Sequence, residues 1–239
     1  MTQQTQTQTV RTLNKLICTS LLSFIAVQSY AQLKSSKPIA INSEIIDTVK
    51  TQLNSTLMRM IWWNDTINVK VQHKDLKMDT ALISFLRKDA KDPSLYTKQE
   101  DINEFLNAMK IGAQNCYSYA LQRYFDESKT YSQNTFNELS DIDRKSAEKI
   151  LSKHFKKVKE ISTHSKQSLN SEIPNKAVLA FINASDWAVH FVYHADGVFY
   201  SKNGAFAPIE FQSLKKFLKK HYWDTEKIEV YQIDKKKAD

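Results

Sequence analysis

Short apolar runs separated by polar and turn residues mark the later part of the chain. Phe155 to Ser162, Ala177 to Ala184, Ala188 to His194, Val198 to Lys202 and Lys227 to Asp234 each read as a strand. Asp196-Gly197 is a hairpin signal between two of them. Phe211 to Tyr222 keeps a helical period instead, with lysines on the polar side.

The earlier part reads as mainly helical. Ile45, Ile46, Val49, Leu53, Leu57 and Ile61 predict one face of a helix from a cap at Asn42 or Ser43 to about Trp62. Thr66 to Gln72 alternates as a short strand, and a helix is expected from Asp79 to about Lys88. Thr97-Lys98-Gln99-Glu100 fits a capping box for a helix through Lys110 that stops at Gly112. Another helix opens at Cys116, where Tyr117, Leu121, Tyr124 and Phe125 share helical spacing, and one more runs from Ser140 or Asp141 to about His154. Helices first and strands second predict an α+β domain, N-terminal helices packed on a C-terminal antiparallel sheet. The expected division is a signal peptide over 1–31, a linker over 32–41 and one domain over 42–239. Its helical part spans 42–110 and its core 112–239.

The N-terminus changes the chemical setting. Arg11 and Lys15 precede an apolar run from Leu16 to Val27, and Ser29-Tyr30-Ala31 is a small-residue cleavage site. Export to the periplasm or beyond is expected, with cleavage after Ala31, which removes Cys18 and leaves Cys116 without an internal disulfide partner. The net charge of +8 gathers in Lys156-Lys157, Lys215-Lys216, Lys219-Lys220 and Lys235-Lys236-Lys237. Such a balance suits contact with an anionic surface; no nucleic-acid motif accompanies it, and the sequence leaves the oligomeric state open.

Cys116 is therefore the candidate nucleophile. A thiol at a helix N-terminus is expected to have its pKa lowered by the dipole and the free N–H groups. A base is then required, and His190 lies in the strand Ala188-Val189-His190-Phe191-Val192-Tyr193. Val192 and His194 share its face, while Phe191 and Tyr193 point the other way. Across the hairpin, Asn203 is the expected orienting group, with Ser201 second and Asp196 a further choice; His194 is the substitute base. Gln114, Asn115 and the Cys116 backbone N–H are candidates for the oxyanion hole, and Trp187 for a cleft wall. No third ligand accompanies His190 and His194 at metal-binding spacing, so neither metal nor cofactor is expected.

Taken together, Asn115-Cys116-Tyr117-Ser118-Tyr119-Ala120-Leu121, His190, Asp196-Gly197 and Tyr200-Ser201-Lys202-Asn203-Gly204 resemble the papain-like cysteine peptidases. They are most similar to an uncharacterised branch with an Asn-Cys pair, a later His and a Ser-Lys-x-Gly element. The NlpC-type cell-wall hydrolases are a related comparison, although their Asp-Cys-Ser-Gly is replaced here by Asn115-Cys116-Tyr117-Ser118. The resemblance implies a papain-like fold and a Cys116–His190–Asn203 site. It also implies hydrolysis of an amide bond in a peptide or a peptidoglycan stem peptide. Acyl transfer uses the same residues, and a catalytically silent module binding a cell-surface partner is the alternative from another class.

Overall fold

The computed structural model describes residues 37–79, 83–84, 98–164, 169–170, 173–204 and 206–234. The signal region over 1–31 lies outside them, as does most of the helix expected from Asp79 to Lys88. In chain order the first elements are β1 (Ile39–Ala40), β2 (Ser43–Thr51), β3 (Ser55–Trp62), β4 (Asp65–Gln72), α1 (Gln99–Ile111), α2 (Cys116–Asp126), β5 (Tyr131–Ser132) and β6 (Ser140–Ile142). There follow α3 (Arg144–His154), β7 (Phe155–Ser162), β8 (Ala177–Asn183), β9 (Ala188–Ala195), β10 (Val198–Ser201), β11 (Ile209–Phe211), α4 (Leu214–His221) and β12 (Thr225–Ile233). Among the described residues the fold is mixed α and β, with more strand than helix, and no helix is long and apolar enough to cross a membrane.

The strands form three sheets. β1 and β5 make a parallel pair, β2-β3-β4-β6 a four-stranded sheet, and β11-β10-β9-β8-β12-β7 a six-stranded one. Every neighbouring pair in the six-stranded sheet is antiparallel, as the order of elements and the hairpin signal predicted. Its two faces serve different cores. Val178, Ala180, Phe191 and Tyr193 meet Ala120, Leu121 and Phe125 of α2 and Ile150 and Leu151 of α3. Leu179, Phe181, Val192, Phe199 and Ile228 meet Leu214, Phe217 and Leu218 of α4. Alternation along each strand sends successive side chains to opposite layers.

The helix expected from 42 to 62 is replaced by the β2–β3 hairpin. Ile45, Ile46, Val49 and Leu53, taken as a helical apolar face, are exposed. Met60 and Trp62 are buried while Ile61 between them is exposed, which is the period of a strand. Gln52 N–H donates to Ser55 C=O at 2.8 Å and turns the chain between the strands. β-branched Ile45, Ile46, Thr48, Val49 and Thr51 favour the extended state, where their side chains meet no preceding helical turn. At the far end Trp63 and Asn64 have φ of 47° and 69°, the pair of positive values that a type I′ turn into β4 requires.

Two other boundaries move. The helix after residue 97 begins at Gln99 with Lys98 as N-cap and no side-chain cap bond; Thr97 lies outside the described residues. The helix expected from Ser140 or Asp141 starts at Arg144, because Ser140 to Ile142 pair with Val69 to Val71 of β4. Asp143 caps it, its carboxylate accepting from Ser146 N–H at 2.7 Å.

Candidate functional site

Asn115 builds the start of α2. Its side-chain oxygen accepts from Ser118 N–H at 3.0 Å, and its Nδ2 donates to Ile142 C=O at 2.7 Å. One side chain thus caps the helix and ties it to β6, which fixes Cys116 as the first helical residue. Tyr117 then donates its hydroxyl to Ala188 C=O at 2.7 Å, pinning the same turn to the start of β9.

The sulfur of Cys116 faces the backbone N–H of Phe191, together with those of Tyr117 and Cys116 itself. The two chain segments adjoin through the Phe191 backbone, but the expected pairing of the Cys116 sulfur with the His190 imidazole is not seen: the ring nitrogens go to Ser201 and Tyr222. The thiol does not behave as the helix dipole alone predicts. Cys116 is 9% exposed, and burial pushes its pKa up from 9.0 to about 11 against the opposing pull of the three N–H groups.

His190 turns to the other layer. It pairs with Phe181 across β8, and its ring packs near Phe181, Phe217 and Tyr222, stacking on the last with centroids 4.2 Å apart. Both nitrogens are engaged: Nε2 lies 2.7 Å from Ser201 Oγ, and Nδ1 2.8 Å from the Tyr222 hydroxyl. Tyr222 has one proton, which goes to Asn203 Oδ1 at 2.7 Å. With the Asn203 oxygen so turned, Nδ1–H donates to Tyr222 and Ser201 donates to Nε2. At 1% exposure, desolvation lowers the His190 pKa to about 3, with repulsion from His221 a smaller cause, so the ring is neutral at pH 7. No hydrogen bond joins its nitrogens to Cys116 among the described residues.

Of the expected group, His190, Ser201 and Asn203 are brought together, with Asn203 acting through Tyr222 rather than directly. Cys116 adjoins their strand from the α2 side. Gln114 spends both side-chain amide hydrogens on Gln122 Oε1 at 2.7 Å and Asn137 C=O at 2.9 Å, so its side chain has no donor left for an oxyanion. Asn115 retains one free amide hydrogen. Trp187 is exposed, with the Arg144 guanidinium 4.2 Å from its ring centroid. His194 shares the His190 face, and its Nδ1 lies 3.0 Å from Pro174 C=O; Asp196 accepts from Asn175 at 2.7 Å, away from the imidazole's partners.

Two residues escaped the sequence reading. Tyr222 falls four positions after Leu218, so it reads as one more apolar contact of α4, and nothing local marks its hydroxyl. Lys202 lies inside the quoted Ser-Lys-x-Gly stretch, yet it is 2% exposed and donates to Gly204 C=O at 2.6 Å. Burial lowers its pKa, opposed by the charges of Cys116 and Asp141, which places it within electrostatic reach of the sulfur. Strand alternation was the available signal, since Lys202 shares the parity of Tyr200, which lies under Arg123 of α2 at 4.3 Å.

A cavity of about 350 Å³ opens beside the helix start, lined by Lys70, Asn115, Tyr117, Asp141, Asp143 and Arg144 among others. Among the described residues there is no group of three or more His, Cys, Asp or Glu side chains that could hold a metal. Comparisons with protein-family models, curated proteins and solved structures find no match to this chain.

Proposed function

We propose that this chain is an exported thiol hydrolase of papain-like architecture that cleaves an amide bond in a peptide or peptidoglycan stem peptide. The observation that carries the reading is the Cys116 sulfur facing the N–H of Phe191, next to the one buried histidine whose ring sits in a connected polar chain. The cavity lined by Lys70, Arg144, Asp141 and Asp143 suits a substrate bearing both charge signs, as peptides do. The site described is disengaged. For His190 to accept the thiol proton, its ring has to leave the α4 layer as well as exchange Ser201 or Tyr222 for sulfur; the thiolate then attacks the carbonyl carbon. The imidazolium returns the proton to the leaving amine, and water cleaves the thioester. Acyl transfer follows the same course with an amine in place of water.

The second reading is a catalytically silent binding module on the same architecture. It is favoured by the protonated, buried sulfur and by the occupation of both imidazole nitrogens. One experiment separates them. The chain and its Cys116→Ala variant are assayed against peptidoglycan fragments and unfolded protein, with the pH profile of iodoacetamide alkylation measured in parallel. The hydrolase reading expects turnover that vanishes in the variant, and alkylation that accelerates when substrate is bound. Absence of turnover, with a thiol that titrates only near its buried value, leaves the binding module.

A further inference from the structure

The exposed Trp and Phe side chains among the described residues are Trp187, Phe206 and Trp223, and all three lie in loops at the end of the six-stranded sheet where β8 stops and β9 begins. Trp187 is covered on one side by Arg144. The other two are bare: Phe206 is 75% and Trp223 83% exposed. They flank a single hydrogen bond. Trp223 follows Tyr222, whose hydroxyl donates to Asn203, and Phe206 N–H donates to Asn203 C=O at 3.0 Å. Aromatic groups of this size are ordinarily covered, and two bare ones tied to the same anchor form a protruding apolar edge.

The helix leading into that edge supplies charge. α4 reads Leu214-Lys215-Lys216-Phe217-Leu218-Lys219-Lys220-His221. Leu214, Phe217 and Leu218 are buried, so all four lysines share the outward face. None of the four has a carboxylate partner among the described residues, whereas Lys70, Lys149, Lys157 and Lys227 all do. The nearest acids in sequence are Asp224, beyond Trp223, and Glu210 on β11, both exposed.

We infer that the outward face of α4, with Trp223 and Phe206, is a docking surface for an anionic phospholipid bilayer. Lysines held without acidic partners suit lipid phosphates, and adjoining bare aromatics suit the boundary between headgroup and acyl chain. A soluble polyanion answers only the first of these features. Docking in this way sets the Tyr222–Asn203 hydrogen bond, and with it the His190 side of the sheet, at the membrane surface. The inference stands apart from the hydrolase reading, because its test reads neither thiol nor turnover.

The test uses the full chain with vesicles of phosphatidylcholine alone, or of equal parts phosphatidylcholine and phosphatidylglycerol. Two local readouts are taken, so that attachment through any other segment does not register. Acetylation of Lys215, Lys216, Lys219 and Lys220, followed by mass spectrometry, is expected to slow about tenfold with the anionic vesicles and to stay unchanged with the neutral ones. Brominated phospholipid in the anionic vesicles is expected to quench tryptophan emission, and Trp223→Phe to remove most of that quenching. Paired Lys219→Gln and Lys220→Gln substitutions are expected to weaken the lysine protection at Lys215 and Lys216 about tenfold. Equal acetylation with and without anionic vesicles overturns the inference, as does quenching identical in Trp223→Phe. Protection of the same lysines by heparin or single-stranded DNA, with no contribution from Trp223 or Phe206 on substitution to Ala, overturns it in favour of a soluble polyanion.

Discussion

The two faces of the six-stranded sheet hold Cys116 and His190 in different ways. Under α2, Phe191 and Tyr193 meet apolar helix residues, and Cys116 and Lys202 are each held by backbone, Cys116 by N–H groups and Lys202 by the Gly204 carbonyl, while the Tyr193 hydroxyl donates to Glu127 at the far end of the helix. Under α4, a chain of four side chains, Ser201, His190, Tyr222 and Asn203, satisfies itself inside an aromatic shell of Phe181 and Phe217. Isolated buried groups keep the charge state that burial imposes. A connected set also fixes which atom holds each proton, and losing one member strands the others.

Acid and alkali read the two faces separately, and this is the largest effect expected. The His190 pKa lies below its ordinary 6.5, at about 3, so between these values the unfolded chain binds a proton that the folded chain refuses. Stability should therefore fall as pH drops through that window, by up to roughly 1.4 kcal/mol per pH unit. Cys116 acts in the opposite direction, its pKa raised from 9.0 to about 11, so stability should fall as pH rises through that range. Denaturant titrations of the wild type against His190→Gln and Cys116→Ser check this, each variant losing its own limb. A His190→Gln chain with the full acid limb breaks the assignment.

Truncation should be costlier on the networked face. His190→Ala leaves the Ser201 and Tyr222 hydroxyls without their partner and opens a cavity, a loss of about 3 kcal/mol. Cys116→Ala removes a small thiol held only by N–H groups and should cost about 1 kcal/mol. Urea midpoints at constant slope measure both, and equal losses would mean that the polar chain does not act as a unit.

Between these lies Asn115→Ala, which removes a helix cap together with the tie to β6. A loss of about 1–2 kcal/mol is expected, with faster hydrogen exchange in the first turn of α2. Tyr222→Phe should cost about 1 kcal/mol, close to Cys116→Ala, because the ring stack with His190 survives although Nδ1–H loses its acceptor. If the hydroxyl holds the imidazole away from sulfur, this variant should also raise the alkylation rate of Cys116, which the binding-module reading does not expect.

Much of this architecture is legible without coordinates. Strands from 155 to 233, the Asp196-Gly197 hairpin and the helix opening at Cys116 follow from short apolar runs, turn residues and helical spacing, all of them local signals. The β2–β3 hairpin did not follow, because its outward edge carries Ile45, Ile46, Val49 and Leu53. Apolar residues exposed on both sides of a strand erase its period of two and imitate a helical stripe.

Residue order made Ser201 and Asn203 candidates to face His190 across the hairpin, without choosing between them. It also placed Phe191 on the opposite face. What required tertiary structure was the layer that each helix covers. Burial of apolar surface is non-directional and assigned α2 to the Phe191 side and α4 to the His190 side. That choice turned a thiol expected to be acidic into one pushed up to about 11, and gave the imidazole Tyr222 as its neighbour.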